Sequence, residues 1–333
     1  MATGQTPGIP DELIGMRVYL TFDVEVWCNG WLNLDREFES AFSRYIYGRS
    51  VKGDWGLPKT TEILNRYGLT GVFFVETLFS ARFGERWLAE IVNMLRSAGQ
   101  DVQLHLHTEW VDEIHTQVIA DQSRKRQHLF HYDFDEQRAL VEFGLTQLAQ
   151  CGVQASAFRA GSYAANADTL RALAANGFFI DTSLNRCFEY SGQGMGYPPS
   201  PCQSFSAFGV DEYPVYVFKD GFGRDRPAQL AAAGLSELKQ ALDRAERAGQ
   251  QNFVIVSHSF ELLKVGSCVP DRVMISRFEG LCSHLAEHKD RYQVGVFEAI
   301  ERVAPKDVFG QARVSLQPTL GRLWQQGQRR LNV

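Results

Sequence analysis

The chain is poor in cysteine, and its six cysteines stand far apart, at positions 28, 151, 187, 202, 268 and 282, with no C-x-x-C among them. Such spacing excludes a tight disulfide framework and a cysteine-built zinc knuckle. Reduced structural thiols fit it, and with them a reducing compartment. No apolar run reaches the roughly 18 residues of a membrane-spanning helix, so no span is expected. The opening residues, MATGQTPGIPDELIG, hold no basic stretch leading into an apolar one; no secretory signal is read there, and a cytoplasmic protein is expected. An excess of basic charge is also missing. The 34 Lys and Arg against 39 Asp and Glu give a formal charge of −5, which offers no electrostatic case for nucleic acid. The end of the chain departs from that balance: after Asp307 come Arg313, Arg322, Arg329 and Arg330 and no acid. This basic tail, 305–333, is either a solvated helix end or a peripheral contact for anionic lipid or an acidic partner.

What is present is an alternation of two periodicities. Short β-rich runs at 17–21, 71–76, 102–106, 155–158, 178–180, 213–217, 252–257 and 292–297 read as strands. Helical spacing covers 58–67, 85–98, 133–150, 167–176, 227–249 and 271–288, with Pro58 suited to a first turn and Gly177 to a helix end. Repeated strand–helix units predict a mostly parallel sheet buried on both faces, closed into a barrel. In barrels the chemistry sits at the C-terminal ends of strands. Neither a repeat nor a composition shift divides the chain. The expected organisation is an N-terminal extension over 1–16, one α/β barrel domain over 17–304, and the basic tail. Two connections, 108–132 and 183–213, are long enough to be functional. Phe188, Tyr190 and Tyr197 on the second would stack on sugar rings or pack the loop onto the barrel.

Read to their ends, five of the apolar runs stop on ionisable residues: Asp23 and Glu25, His105 and His107, Arg159, Asp181, and His258. Each alone has an ordinary explanation, a hydrogen-bonded histidine or, for Asp181, a helix N-cap. Five at corresponding positions argue for one shared polar centre, because buried charge is costly unless paired. Residues two apart on a strand share a face, so His105 and His107 project side by side, as do Asp23 and Glu25. A carboxylate with two histidines is a ligand set for zinc or a similar divalent ion.

The segments TFDVE, GQDVQLHLHTEW, FRAGSYAANADTLRALAANGFFIDTSL and FVIVSHSFEL, in this order and spacing, resemble the successive motifs of polysaccharide deacetylases, the NodB-homology group of carbohydrate esterase family 4. The resemblance runs from about Val18 to Phe297. It implies a distorted (β/α)7 barrel with long loops over the C-terminal face, one divalent metal, commonly zinc, and hydrolysis of acetyl groups on sugars. It implies that Asp23 is the catalytic base and that Arg159 holds the base carboxylate. His105 falls on the first metal histidine, and His258 on the acid that protonates the leaving amine, with Asp181 orienting it. Two positions depart from the common pattern. Val24 stands where a second aspartate is usual, and Glu25 is the next acid; some relatives have D-x-[DE] here, which makes Glu25 the metal carboxylate. The second histidine is His107, two residues after His105, where spacing by four would put Glu109. Imidazole chemistry and strand geometry favour His107, with Glu109 the alternative; His128 and His131 on the long loop are further donors.

The expected function is a metal-dependent hydrolase of N- or O-acetylated carbohydrate: a sugar, sugar nucleotide or lipid-linked saccharide in polysaccharide or glycoconjugate biosynthesis. The alternatives are a carbon–nitrogen hydrolase of a small non-sugar amide and a non-catalytic carbohydrate-binding relative.

Overall fold

The computed structural model describes residues 15–188, 191–196, 202–297 and 310–331. Tyr190, Tyr197, most of the N-terminal extension and the side chain of Arg330 lie outside the described residues. The main sheet is built from β1 (Met16–Val24), β2 (Val72–Glu76), β3 (Asp101–Leu106), β4 (Ala157–Ala160), β5 (Ile180–Asp181), β6 (Phe205–Ala207), β7 (Val210–Glu212), β8 (Asn252–His258) and β9 (Tyr292–Val294). Their order is β8-β1-β2-β3-β4-β5-β7-β6, with β9 pairing the start of β1. All pairings are parallel except the β6–β7 hairpin. The sheet curls into a half-barrel. Beyond β7, single parallel bridges at Val215–Val254 and Gln229–Val256 carry the chain across to β8. The expected distorted barrel is thus present.

Helices cover the outside: α1 (Leu34–Phe42), α2 (Leu57–Arg66), α3 (Glu85–Ser97), α4 (Phe134–Gln150), α5 (Ala167–Ala175), α6 (Leu235–Arg247), α7 (Arg272–Glu287) and α8 (Leu316–Leu331). Side-chain alternation divides the core in two. Phe22, Phe73, Leu104, Leu106 and Phe158 face the helices, while Tyr19, Phe74, Ala157, Val254 and Val256 fill the interior. The inward row of β1 is therefore Tyr19, Thr21 and Asp23, so the apolar filling gives way to polar groups as the strand nears its C-terminal end.

Four elements differ from the sequence reading; the first is the run 213–217, which supplies only the single bridge Val215–Val254 before a short strand at Val217–Lys219. Helix α1 was not read from the sequence, although Leu34, Phe38, Ala41 and Phe42 form an apolar stripe at i, i+4, i+7 and i+8 and all four are buried; Phe79, Phe83 and Trp87 pack on Phe38. The 183–213 connection contains the β6–β7 hairpin, turned by Phe208 and Gly209 at positive φ (52° and 87°). Helix α6 starts at Leu235, not 227, because Asp225–Pro227 pairs with Val217–Lys219 as a small hairpin.

The tail contains α8, which packs against the barrel. Arg322 is 2% exposed and bonds Glu237 at 2.8 Å and Asp220 at 3.2 Å. Arg329 bonds Asp271, the N-cap of α7, at 2.7 Å. Two of the four tail arginines are thus engaged inside the fold, while Leu316, Leu320, Leu323 and Trp324 point outward. Among the described residues no helix is long and apolar enough to cross a membrane.

Candidate active site

Strand register brings the strand-end residues to one level. Asp23 lies beside His258, and His105 lies between Glu76 and Arg159. Since all are odd or even in step with their strands, their side chains enter the same space. That space opens into a cleft of about 230 Å³ whose walls include Asp23, Glu25, His107, His258, Trp27 and Phe188.

Glu25 is its centre. Its Oε1 lies 3.1 Å from His107 Nε2, 3.5 Å from His105 Nε2 and 3.8 Å from His258 Nε2. Its Oε2 accepts from Trp27 Nε1 at 2.5 Å. The other ring nitrogens of both histidines are occupied: His105 Nδ1 donates to the carbonyl of Arg159 at 2.8 Å, and His107 Nδ1 faces Glu109 Oε2 at 3.2 Å. The Nε2 atoms of His105 and His107 are buried and make no hydrogen bond. Two orphaned nitrogens and one carboxylate oxygen, all within 4.8 Å of one another, fit a divalent cation, and each histidine has the outer partner that fixes a ligating tautomer. Burial opposes charge on Glu25, but His107, His105 and His258 outweigh it and hold the carboxyl well below its usual range. Glu109 thus meets the site as the outer partner of His107, and His107 occupies the position toward Glu25. His128 and His131 bracket a short turn, Leu129–His131, and are not among the groups clustered for a metal.

Gly161 explains how His107 is held. A Cβ at this position would meet His107 Nδ1 at 2.7 Å and the Leu106 carbonyl oxygen at 2.8 Å. The next two residues, Ser162 and Tyr163, are non-glycine residues at positive φ (53° and 56°), a costly backbone that cleft walls tolerate. Gly161→Ala alters no ligand, yet it pushes the His107 ring. We expect it to weaken metal affinity by about 10–100-fold, the span for outer-shell losses, read by competition with a chelator. Unchanged affinity would refute this account of the ring's support.

Asp23 is the second carboxylate of the cleft. Arg159, fully buried, donates to Asp23 Oδ1 at 2.6 Å, to Thr21 Oγ1 at 2.9 Å and to the Thr182 carbonyl at 3.2 Å. Its guanidinium also lies over the Phe74 ring, 4.4 Å from the centroid. His258 stands across the cleft. Its Nδ1 bonds Glu261 Oε1 at 2.8 Å. Burial works against charge on this ring, but Glu261 chiefly, then Glu25 and Asp23, push it up to about 9.

The orienting role expected of Asp181 is therefore corrected: the carboxylate on His258 is Glu261. Asp181 is neither a cap nor bonded to His258. It accepts from Ser183 Oγ at 2.6 Å and faces Glu212. Burial pushes both carboxyls up, and the Asp181 charge drives Glu212 further, well above the usual range, so folding favours a proton on Glu212. Glu212 binds that proton more tightly folded than unfolded, so this contribution is full below the ordinary carboxyl value, about 4.5, and is lost as pH rises through the raised folded value. Glu212→Gln keeps a donor toward Asp181 and cannot ionise. Its stability relative to the parent should rise with pH, measured by urea unfolding at acid and alkaline pH; parallel curves would contradict the raised Glu212 carboxyl.

Sequence reasoning missed Glu261, Glu212, Trp27 and Glu76. Glu261 carried a signal, three residues past His258 in SHSFE. Glu76 ends β2 in register with His105; its carboxylate caps Leu78 and Phe79, and burial pushes it up to about 7.

No family model matches the chain, and no curated protein matches it in sequence. Solved structures do. A protein of Mycobacterium smegmatis provisionally assigned as a polysaccharide deacetylase is 19% identical, with 88% of this chain and 91% of that one covered at a TM-score of 0.55. A 4-α-glucanotransferase of Thermococcus litoralis is 10% identical, with coverages of 91% and 42% and a TM-score of 0.53. A CE4-family pseudoenzyme of Bacillus anthracis is 14% identical, with coverages of 90% and 67% and a TM-score of 0.41. Other matches are a family 4 carbohydrate esterase and a peptidoglycan N-acetylglucosamine deacetylase. This chain shares the fold of the Mycobacterium smegmatis structure. The transferase shares it too, so the fold does not choose the reaction, and the site must.

Proposed function

We propose that the protein is a divalent-metal-dependent hydrolase, with zinc as the metal, that removes acetyl groups from N- or O-acetylated carbohydrate in polysaccharide or glycoconjugate biosynthesis. The observation that carries this reading is the pair of orphaned histidine nitrogens converging on Glu25, beside an arginine-held aspartate and a carboxylate-held histidine. Glu25, His105 and His107 would hold the ion. When bound, it supplies an electrophile that polarises the acetyl carbonyl and acidifies the attacking water.

The chain's own residues do the rest. Arg159 occupies Asp23 Oδ1, which leaves Oδ2 to take the water's proton. His258, held protonated by Glu261, delivers its Nε2 proton to the departing nitrogen. Water's oxygen forms the new bond to the acyl carbon, the C–N bond breaks, and acetate and an amine result. Trp27 fixes the rotamer of Glu25 and, edge-on to His107 at 4.8 Å between centroids, helps to wall the cleft.

The test is acetate release from a panel of N-acetylated sugar nucleotides and oligosaccharides, with and without chelator, together with elemental analysis. About one divalent ion per chain is expected from the ligand count, and chelation should abolish release. A chain without metal, or activity untouched by chelator, would sink the reading.

A further inference from the structure

We propose that the cavity on the other side of His258 receives the amine half of the substrate, and that this half carries an anionic group, a phosphate or a carboxylate, bound by Arg44. The inference rests on the hydrolase reading above. His258 lines two cavities. One is the cleft with Asp23, Glu25 and His107. The other, about 420 Å³, has walls of Phe260, Leu263 and Val265 and includes Arg44, Lys264 and Arg329; its volume suits a small-molecule site. The His258 ring separates the two spaces: its Nε2 faces Glu25 in the cleft, and its Nδ1 is held by Glu261 in the wall of the second cavity.

Charge identifies the class of that leaving group. Among the described residues Glu261 is the one carboxylate lining this cavity, and its oxygens are taken, by His258 and Gln229 on Oε1 and by Ser257 on Oε2. Arg329 is matched by Asp271. Arg44 forms no ion pair among the described residues; its guanidinium carbon lies 5.2 Å from the Tyr45 ring centroid, and a terminal nitrogen lies beside Gly266. It is half-buried, so its positive charge is only partly met by water. The surrounding chain is held in place: Arg44 belongs to a π-helical turn, Ser43–Tyr47, closed by Gly48 at φ 61°, and such turns recur at functional sites. The carbonyl of Tyr45 accepts from Ser259 Oγ at 3.1 Å, and its ring meets Phe260 edge-on. Arg44 is thereby anchored to the segment that carries His258. A guanidinium fork with no counter-charge suits a phosphate or carboxylate.

The test uses the full chain loaded with zinc, with N-acetylglucosamine, its 1-phosphate and 6-phosphate, and N-acetylmuramic acid. At least one charged sugar should exceed the neutral one in kcat/KM by about 10–100-fold, the worth of a charge-assisted contact. Which sugar leads separates phosphate from carboxylate. Arg44→Met should bring the charged-to-neutral ratio towards one through KM, and Arg44→Lys should restore part of it. Calorimetry provides a reading independent of turnover: glucosamine 6-phosphate or muramic acid should bind about tenfold more tightly than glucosamine, and Arg44→Met should remove the difference. Equal kcat/KM and equal affinity for charged and neutral sugars would overturn the proposal, as would an Arg44→Met effect of the same size on both. Tight, Arg44-dependent binding of a charged amine without acetate release from any sugar would uphold the anion site and overturn the hydrolase reading.

Discussion

Asp23→Asn should lower turnover by about 10²–10⁴-fold, the span of general acid–base catalysis, while the metal content stays near that of the parent. The substitution keeps size and a hydrogen-bond acceptor for Arg159 but removes the proton acceptor. The separation of effects is informative because Asp23, Glu25 and His258 also lie close enough together to hold an ion. The geometry favours Glu25, His105 and His107 as the holders, since Asp23 Oδ1 is already bound by Arg159 at 2.6 Å. Elemental analysis and acetate release on the same sample distinguish the cases. If Asp23→Asn strips the metal, Asp23 is a ligand and the division of roles fails.

Arg159→Met should be the most damaging single substitution for stability. Arg159 is fully buried and bonds Asp23, Thr21 and Thr182 at once. Removing one partner of a buried ion pair costs about 3–5 kcal/mol, because the remaining charge is left uncompensated. Urea unfolding measures the loss. The double variant Asp23→Asn/Arg159→Met removes both charges and should regain much of that stability without regaining activity. If the double variant is no more stable than Arg159→Met alone, the cost arises from packing over Phe74 and not from charge.

The convergence of the strand-end side chains was legible because alternation is a local property. Once β1 and β3 are recognised, Asp23 with Glu25 and His105 with His107 must share faces, and Leu104 and Leu106 must turn to the helices, as they do. The choice between His107 and Glu109 depended on a turn: Thr108–Trp110 is a 3-10 segment that brings Glu109 back onto His107 Nδ1. The partner of His258 was misread because a resemblance transfers roles by motif, whereas the hydrogen bond is set by the turn after β8, where Glu261 lies three residues on. Asp181 and Glu212 meet only because β5 and β7 pair in register, and strand β7 had no signal beyond three residues. Helix α1 did carry a local signal, the stripe Leu34, Phe38, Ala41 and Phe42, but it is short and lies outside the strand–helix alternation. Its burial depends on Phe79, Phe83 and Trp87, far along the chain.

The outermost helix, α8, has the polarity of its faces exchanged. Its buried side is made of Thr319, Arg322 and Arg329, which bind Glu237, Asp220 and Asp271, while leucines and Trp324 face outward. A helix held by charge responds to solvent only where its ion pairs reach water. Raised salt weakens whichever of its ion pairs reach solvent, yet salting-out ions strengthen the apolar core beneath. Added sulfate should therefore reach this helix mainly through the partly exposed Arg329–Asp271 pair, while Arg322, buried with Glu237 and Asp220, escapes screening, so the last turn should loosen before the rest of the helix.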